Sequence, residues 1–529
     1  MQPAADTLTT SATIESRPPS PPSLGRLLFS GSSALGLATA TERGLGFLAN
    51  LAAARLGGPS VFGAYAVAMT TANNVANYAG AGIGTTANRF SGEYPYGGTG
   101  YRGFIRALAL VCCSSSALAA AMLWFAAQPL ATHLLHNSRL AGLLRLAALS
   151  AGAVILLECL RGLLIGQRRY AGLLALSILF GGSLAIVLPM AARHGANSMV
   201  IAQAATAVSA ILICVFLARK LHFAPPSSTP RSRGPGPGVI MRFGLVQLAA
   251  VTGINAAGWW IASLVARADL SLAQSAWYSV AMQLRNMCAM PGWLISQTAY
   301  AQLTENGGQQ YGGPGRVTLL STIVATAISL MAAGPAAALM PWVVPHLYGR
   351  DFAGAELAAT LAVATGLVHM SAAPAAARLT VVSLRLTTII NAVWSILLVG
   401  LGSWLVPKGG AAAGAACFLA AHFFSAVAVL VALLCLGSAP RELFGVSLPS
   451  LTGAILIAGL GWMRAAGFHR AELSAAILVV TAGLAAITFH HGRKTSAAMR
   501  QLTIAGLVSN VRARGGLWLG LRPYLAGSR

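Results

Sequence analysis

The sequence predicts an all-α polytopic membrane protein with about fourteen transmembrane helices, arranged as two six-helix bundles plus a C-terminal helix pair. Three observations predict it. First, 56% of the 529 residues are apolar and only 9% are charged, with a mean hydropathy of +0.70. A soluble chain carries about 25% charged residues, whereas here apolar runs of about 20 residues follow one another almost without pause. The runs are continuously apolar and do not alternate with period two, so they predict helices and not a barrel. Second, segments of the two halves repeat at one offset. Tyr65, Val67, Ala68 and Met69 match Tyr278, Val280, Ala281 and Met282 at a spacing of 213, and Leu140-Ala141-Gly142 recurs as Phe352-Ala353-Gly354 at 212. A shared offset points to an internal duplication. Third, the basic residues are asymmetric about the predicted spans. With the N-terminus inside, and with basic residues at helix ends counted with the adjoining segment, 24 of the 35 Lys and Arg fall in inside segments, 8 in outside loops and three, Arg43, Arg145 and Arg285, within spans. That distribution predicts a cytoplasmic N-terminus, a cytoplasmic C-terminus and an even number of spans.

Taken in order, residues 1–25 are rich in Ser, Thr and Pro and lack an apolar core, which predicts a disordered cytoplasmic tail without a cleavable signal peptide. The N-terminal bundle, 26–218, has predicted helices over 31–54, 62–84, 104–127, 141–165, 171–192 and 197–218. A tight turn over Arg55–Gly63, with Gly57-Gly58-Pro59, opens the second of them. A Pro- and Arg-rich cytoplasmic linker follows at 219–242; its Arg231-Ser232-Arg233-Gly234-Pro235-Gly236-Pro237 run cannot be helical throughout. The C-terminal bundle, 243–436, has predicted helices over 243–266, 275–300, 317–340, 353–377, 384–406 and 411–436. Two additional transmembrane helices, about 448–466 and 473–489 within 437–490, have no counterpart in the first half. A basic cytoplasmic tail, 491–529, closes the chain. The formal net charge of +24 reads as membrane orientation and not as nucleic-acid binding. All seven cysteines fall in apolar runs without metal-ligand spacing and read as packing residues.

The stretch Leu56-Gly57-Gly58-Pro59-Ser60-Val61-Phe62-Gly63-Ala64-Tyr65 resembles the opening of the second helix in polysaccharide-unit flippases of the Wzx type, within the multidrug/oligosaccharidyl-lipid/polysaccharide exporter superfamily. Val344-Pro345-His346-Leu347-Tyr348-Gly349-Arg350-Asp351-Phe352-Ala353-Gly354-Ala355 resembles the opening of the tenth helix in the same group. The likeness covers about residues 26–436, and the last two helices resemble the extra pair of some members. The resemblance implies two bundles around a cavity that opens alternately to each side. It also implies a lipid-linked oligosaccharide as substrate and membrane lipid as surroundings, with a polysaccharide polymerase and export machinery as further candidate partners. It implies no enzyme activity, cofactor, metal or nucleic acid.

A charge within a bilayer costs at least about 2.5–3.5 kcal/mol at the centre, so each one needs a reason. Arg43 lies about 18 Å into the first predicted span, too deep for easy snorkelling. It is either a cavity cation for a phosphate or half of an ion pair; the adjacent Glu42 points about 100° away. Asn255 occupies the equivalent position in the second half. Arg285, mid-span and six residues before Pro291, is a second candidate for phosphate or sugar, and Pro291 is a candidate kink. Arg145, near the outer end of its span, either contacts substrate or snorkels to the interface. Glu158 and Arg161 share a helix face as a local salt bridge, with Glu158 and Glu42 as the alternative cation-coupling carboxylates. Asn73 and Asn77 belong to an Asn-rich span suited to sugar hydroxyls or to helix–helix bonding, and Asn73 matches Asn286 at the 213 offset. Glu356 reads as interfacial. His369 and His422 have no partner identifiable from the sequence and read as structural.

Arginine suits pyrophosphate recognition through its planar fork, although only Lys220, Lys408 and Lys494 among the basic residues are Lys, so the preference is chain-wide. Three function classes stand against one another. A lipid-linked sugar flippase fits the motifs and the deep cations; a peptidoglycan-precursor flippase shares these features. A cation-coupled exporter of drugs or small metabolites requires mid-span carboxylates facing a cavity. A membrane enzyme requires a large outer loop with catalytic carboxylates, and no phosphate-cradling Gly motif, metal cluster or nucleophile triad is present in the sequence.

Overall fold

The computed structural model describes residues 33–80, 82–94, 100–221, 234–304, 313–438 and 440–495. The predicted N-terminal tail, the middle of the linker (222–233) and the basic tail from 496 lie outside the described residues.

The described chain is helical throughout, and its first and longest features are two double-length helices. α1 (Ser33–Ala79) and the later α11 (Leu384–Cys435) contain 47 and 52 residues, about twice what a bilayer needs. Each is broken at one glycine in a conformation that a side chain strongly disfavours: Gly58 (φ 75°, ψ 173°) and Gly410 (φ 53°, ψ −132°). The chain doubles back at both. Glu42 on the first arm of α1 reaches Arg161, while Gly80, beyond the second arm, lies against Ile155 only six residues away. Gly402 and Gly414, on opposite arms of α11, both face Ile261. The turn expected over residues 55–63 is therefore a single-residue break, and the separately predicted helices 384–406 and 411–436 are likewise joined.

Between them run α2 (Ile83–Glu93), α3 (Tyr101–Pro129, continued by a π turn over Leu130–Leu134), α4 (Leu140–Gly166), α5 (Tyr170–Ala192), α6 (Ala196–Leu221), α7 (Pro237–Ala268), α8 (Ala273–Thr304), α9 (Pro314–Tyr348), a 3-10 turn (Arg350–Ala355) and α10 (Glu356–Val382). α12 (Glu442–Ala465) and α13 (Arg470–Thr495) complete the fold. Counting α1 and α11 as two spans each and leaving out the 11-residue α2 gives fourteen membrane-length segments among the described residues. The sequence reading missed α2, whose buried Ile83, Thr86, Ala87 and Phe90 form one helical face. It also drew the linker too long, since α6 continues to Leu221 and α7 begins at Pro237. Pro291 sits inside α8 without interrupting it.

In the first half α1 packs on α4 and α5, with α3 and α6 against α4; in the second α8 packs on α9 and α10, with α11 against α7 and α10. α12 and α13 cover α9 and α10. The halves meet through α1 against α7 and α8. Nine described helical stretches are long and apolar enough to cross a membrane by length and composition; α1, α7 and α8 are not among them.

A buried cation holds the C-terminal pair in place. Pro341 has no N–H for the carbonyl of Ala337 one turn earlier, and Arg464 from α12 donates to that oxygen at 3.0 Å and to Ala338 O at 3.2 Å. Its guanidinium also donates to Thr360 Oγ1 (2.9 Å) and Ser474 Oγ (3.0 Å), and Nε faces Glu356 Oε1 at 3.5 Å. Glu356, read from sequence as interfacial, is the counter-charge of this clamp.

Candidate functional site

The two motif stretches singled out in the sequence meet across the halves at one end of the bundle. Phe62 lies edge-on to Phe352 with centroids 6.5 Å apart, and Tyr348 packs on Phe352 at 5.7 Å. All three rings are buried. Beside them Arg55 Nη1 donates to the carbonyls of His346 (2.9 Å) and Leu347 (3.4 Å), at the C-terminal end of α9 where the helix dipole favours a cation.

One turn further along α1, a cavity of about 240 Å³ opens between the halves. Its walls are Ala66, Val67 and Thr70 of α1, Gly258 and Ala262 of α7, Ser275, Tyr278, Ser279, Met282 and Arg285 of α8, and Phe418 of α11. Arg285 is the single charged group in this lining, and no carboxylate belongs to it. Helical periodicity carries the same faces onward. Asn73 and Asn77 continue the stripe of Ala66 and Thr70, Asn255 continues that of Ala262 and Gly258, and Asn286 continues that of Ser279 and Met282. Asn73, Asn77 and Asn286 are exposed and Asn255 is half-buried, so amide groups border the crevice beyond the cavity. Arg43 stands farther along. It is exposed, with its guanidinium 5.0 Å above the Trp293 ring, eight residues or about 12 Å along α8 from Arg285.

Arg285 has two partners that the sequence did not disclose. Its Nη2 lies 3.2 Å from His369 Nδ1 on α10 and 3.3 Å from His422 Nε2 on α11. Arg285 is twelve residues past the start of α8, His369 thirteen past the start of α10 and His422 twelve past Gly410, so all three share one depth, about 18–20 Å from the same end. The close approach of α10 depends on Gly366, where a Cβ would come within 3.2 Å of the Arg285 carbonyl oxygen. His422 Nδ1–H donates to Phe418 O at 2.9 Å, which leaves Nε2 as an acceptor. The imidazole rings are 4.7 Å apart, and Trp394 meets His422 edge-on at 5.2 Å.

A second cluster lies in the first half. Arg161 donates to both Glu42 and Glu158, and Ser177 Oγ donates to Glu42 Oε2 at 3.4 Å. Glu42 thus pairs with Arg161 and not with its neighbour Arg43. Arg145, five residues into α4, is exposed and not among the residues lining the cavity.

No protein-family model and no curated protein matches the chain. The fold is that of the transporters of the multidrug/oligosaccharidyl-lipid/polysaccharide superfamily. Solved structures similar to it include the lipid II flippase MurJ in an inward closed conformation, with a TM-score of 0.60, 12% identity and coverage of 87% of this chain and 98% of that one. An outward-facing multidrug-resistance MATE transporter aligns with a TM-score of 0.53, 16% identity and coverage of 78% and 98%. A superfamily transporter of Pyrococcus furiosus described as having reversed binding-pocket polarity aligns with 0.53, 15%, 78% and 96%. At these identities the likeness is one of fold.

Proposed function

We propose that the chain is a flippase that moves a lipid-linked oligosaccharide, a polysaccharide repeat unit on an undecaprenyl-type phosphate carrier, across the bacterial cytoplasmic membrane by alternating access. The observation that carries this reading is the cavity between the halves, lined by one cation and no carboxylate. A guanidinium offers a planar fork to phosphate oxygens, and repeat-built transporters hold substrate near the midplane between their halves. Asn73, Asn77 and Asn255, with Asn286, supply amides for sugar hydroxyls, and Arg43 a further cation. A cation-coupled drug exporter is less favoured, because Glu42 and Glu158 are both engaged with Arg161. The flippase-like alignment also spans nine percentage points more of the 529 residues than the exporter one, about 48 residues, close to the length of the α12–α13 pair. On this reading a polysaccharide polymerase and its export machinery consume the delivered unit.

The test is complementation of a bacterial strain that lacks its polysaccharide-unit flippase. Restored surface polysaccharide, lost again in Arg285→Ala, is expected. Drug efflux without restoration, or rescue of a strain depleted of its peptidoglycan-precursor flippase instead, would overturn the assignment. The asymmetry of basic residues supports cytoplasmic termini, so reporters fused after Lys220 and after Arg493 should read cytoplasmic, and one after Arg55 periplasmic.

A further inference from the structure

Arg285 binds two neutral imidazoles through their lone pairs. Because Nδ1–H of His422 is committed to Phe418 O, the nitrogen turned to Arg285 is unprotonated; Nδ1 of His369 is likewise the acceptor of the same Nη2. The remaining guanidinium donors are little used. Nη1 meets only the Met282 sulfur at 3.9 Å and Nε has no partner, in a group with five N–H donors. The groups facing this cluster are Tyr278 of α8, with Cys417 nearby on α11, and the uncharged lining from α1 and α7. No carboxylate faces it among the described residues.

A proton added to either facing nitrogen turns an acceptor into a donor and sets two cations side by side. In a low dielectric that arrangement needs an anion with at least two acceptor oxygens. Conversely, an oxyanion that takes the donors of Arg285 frees the facing imidazole nitrogens beside a new negative charge. Each event favours the other, and by linkage the two effects are equal. His369 is the exposed ring and so the one a proton from water in the crevice reaches first; His422 is buried.

We infer that Arg285, His369 and His422 form one composite site that takes up a phosphate oxyanion of a lipid-borne substrate together with one proton, which is carried by imidazole. The inference rests on the flippase reading. A diesterified phosphate keeps its charge between about pH 5 and pH 8, so the proton resides on the protein, and no covalent bond to substrate forms.

The test uses the full-length protein in detergent, with sulfate and dihexanoylphosphatidylglycerol as probes, because neither titrates in this range. Calorimetry at about pH 7.5 and about pH 5.5 should show both affinities rising at least about tenfold on acidification. Parallel runs in two buffers of different ionisation heat should show close to one proton entering per anion. The His369→Gln/His422→Gln protein should bind at the higher pH and lose the rise; if it does not fold, single His369→Gln reads the same quantity. Equal wild-type affinities at the two pH values would overturn proton uptake while leaving the anion site intact. A rise that persists without the imidazoles also overturns it, since the proton then sits elsewhere. A rise with sulfate alone overturns the lipid-borne ligand. Unchanged binding by Arg285→Gln, by contrast, removes the anion site on which the flippase reading depends.

Discussion

Arg464 and Arg285 are both packed among the helices, and they are held in opposite ways. Arg464 has a side chain with no exposure, two carbonyls and two hydroxyls as acceptors, and a carboxylate as counter-charge. Arg285 has two neutral imidazoles, a thioether and a cavity. The first has its charge neutralised by Glu356 and both terminal nitrogens bonded; the second has no carboxylate beside it and keeps most of its donors. On the proposed reading the difference separates a cation that fastens helices from one that is free to take a ligand, and depth in the membrane alone does not.

The largest expected effect breaks the comparison on the structural side. Arg464→Ala removes one member of a buried pair and leaves the Ala337 carbonyl and the Glu356 carboxylate without it, which costs about 3–5 kcal/mol. Folded protein recovered in detergent should fall steeply, as followed by size-exclusion profile after heating. Normal yield and unchanged thermal inactivation would put Arg464 in the same class as Arg285. On the other side, Arg285→Ala should leave yield unchanged while lowering transport about 10- to 100-fold, the weight of a charge-assisted contact of about 1.5–3 kcal/mol. Equal activity at equal protein level would make Arg285 a packing residue.

Arg43 sharpens the comparison because it is exposed and rests on Trp293. Arg43→Ala should lower flipping about tenfold, and Arg43→Lys, which keeps the charge but loses the fork, should fall between. Activity in Arg43→Lys no better than in Arg43→Ala would assign the effect to shape and not to charge.

The smallest effect concerns Asp269, in the turn between α7 and α8. Burial pushes its carboxyl up, but the Ser271 hydroxyl and the backbone N–H groups of Gln274, Ser271 and Ala273 outweigh it and hold the group below the usual carboxylate range. A depressed carboxyl contributes stability that is present above its unfolded value of about 3.9 and is lost as pH falls through the folded value. Asp269→Ala should therefore lower thermal stability by about 1 kcal/mol at neutral pH, a gap that closes on acidification below about pH 4. A gap that stays constant down to about pH 3 would show that the ionised carboxylate is not what holds the turn.

The sequence disclosed the spans because each is an apolar run bounded by polar residues, a pattern local to about 20 positions. It disclosed Arg43 and Arg285 as exceptional for the same local reason. The partners were not legible. His369 and His422 are 84 and 137 residues from Arg285, and only the rotation of α10 and α11 about their axes turns both rings onto one guanidinium. Arg464 lies next to the end of its helix, where a basic residue draws no notice in the sequence, yet the Pro341 gap in α9 draws it inward. The breaks at Gly58 and Gly410 read as turns in composition. That a single residue performs each reversal depends on a left-handed backbone that only the fold selects.

The hook of Arg55 closes on main-chain oxygens of α9 and not on side chains. Every residue type presents the same carbonyl, so His346 and Leu347 can drift without loosening that grip. The adjustable half of this contact between the halves is thus a single codon, that of Arg55.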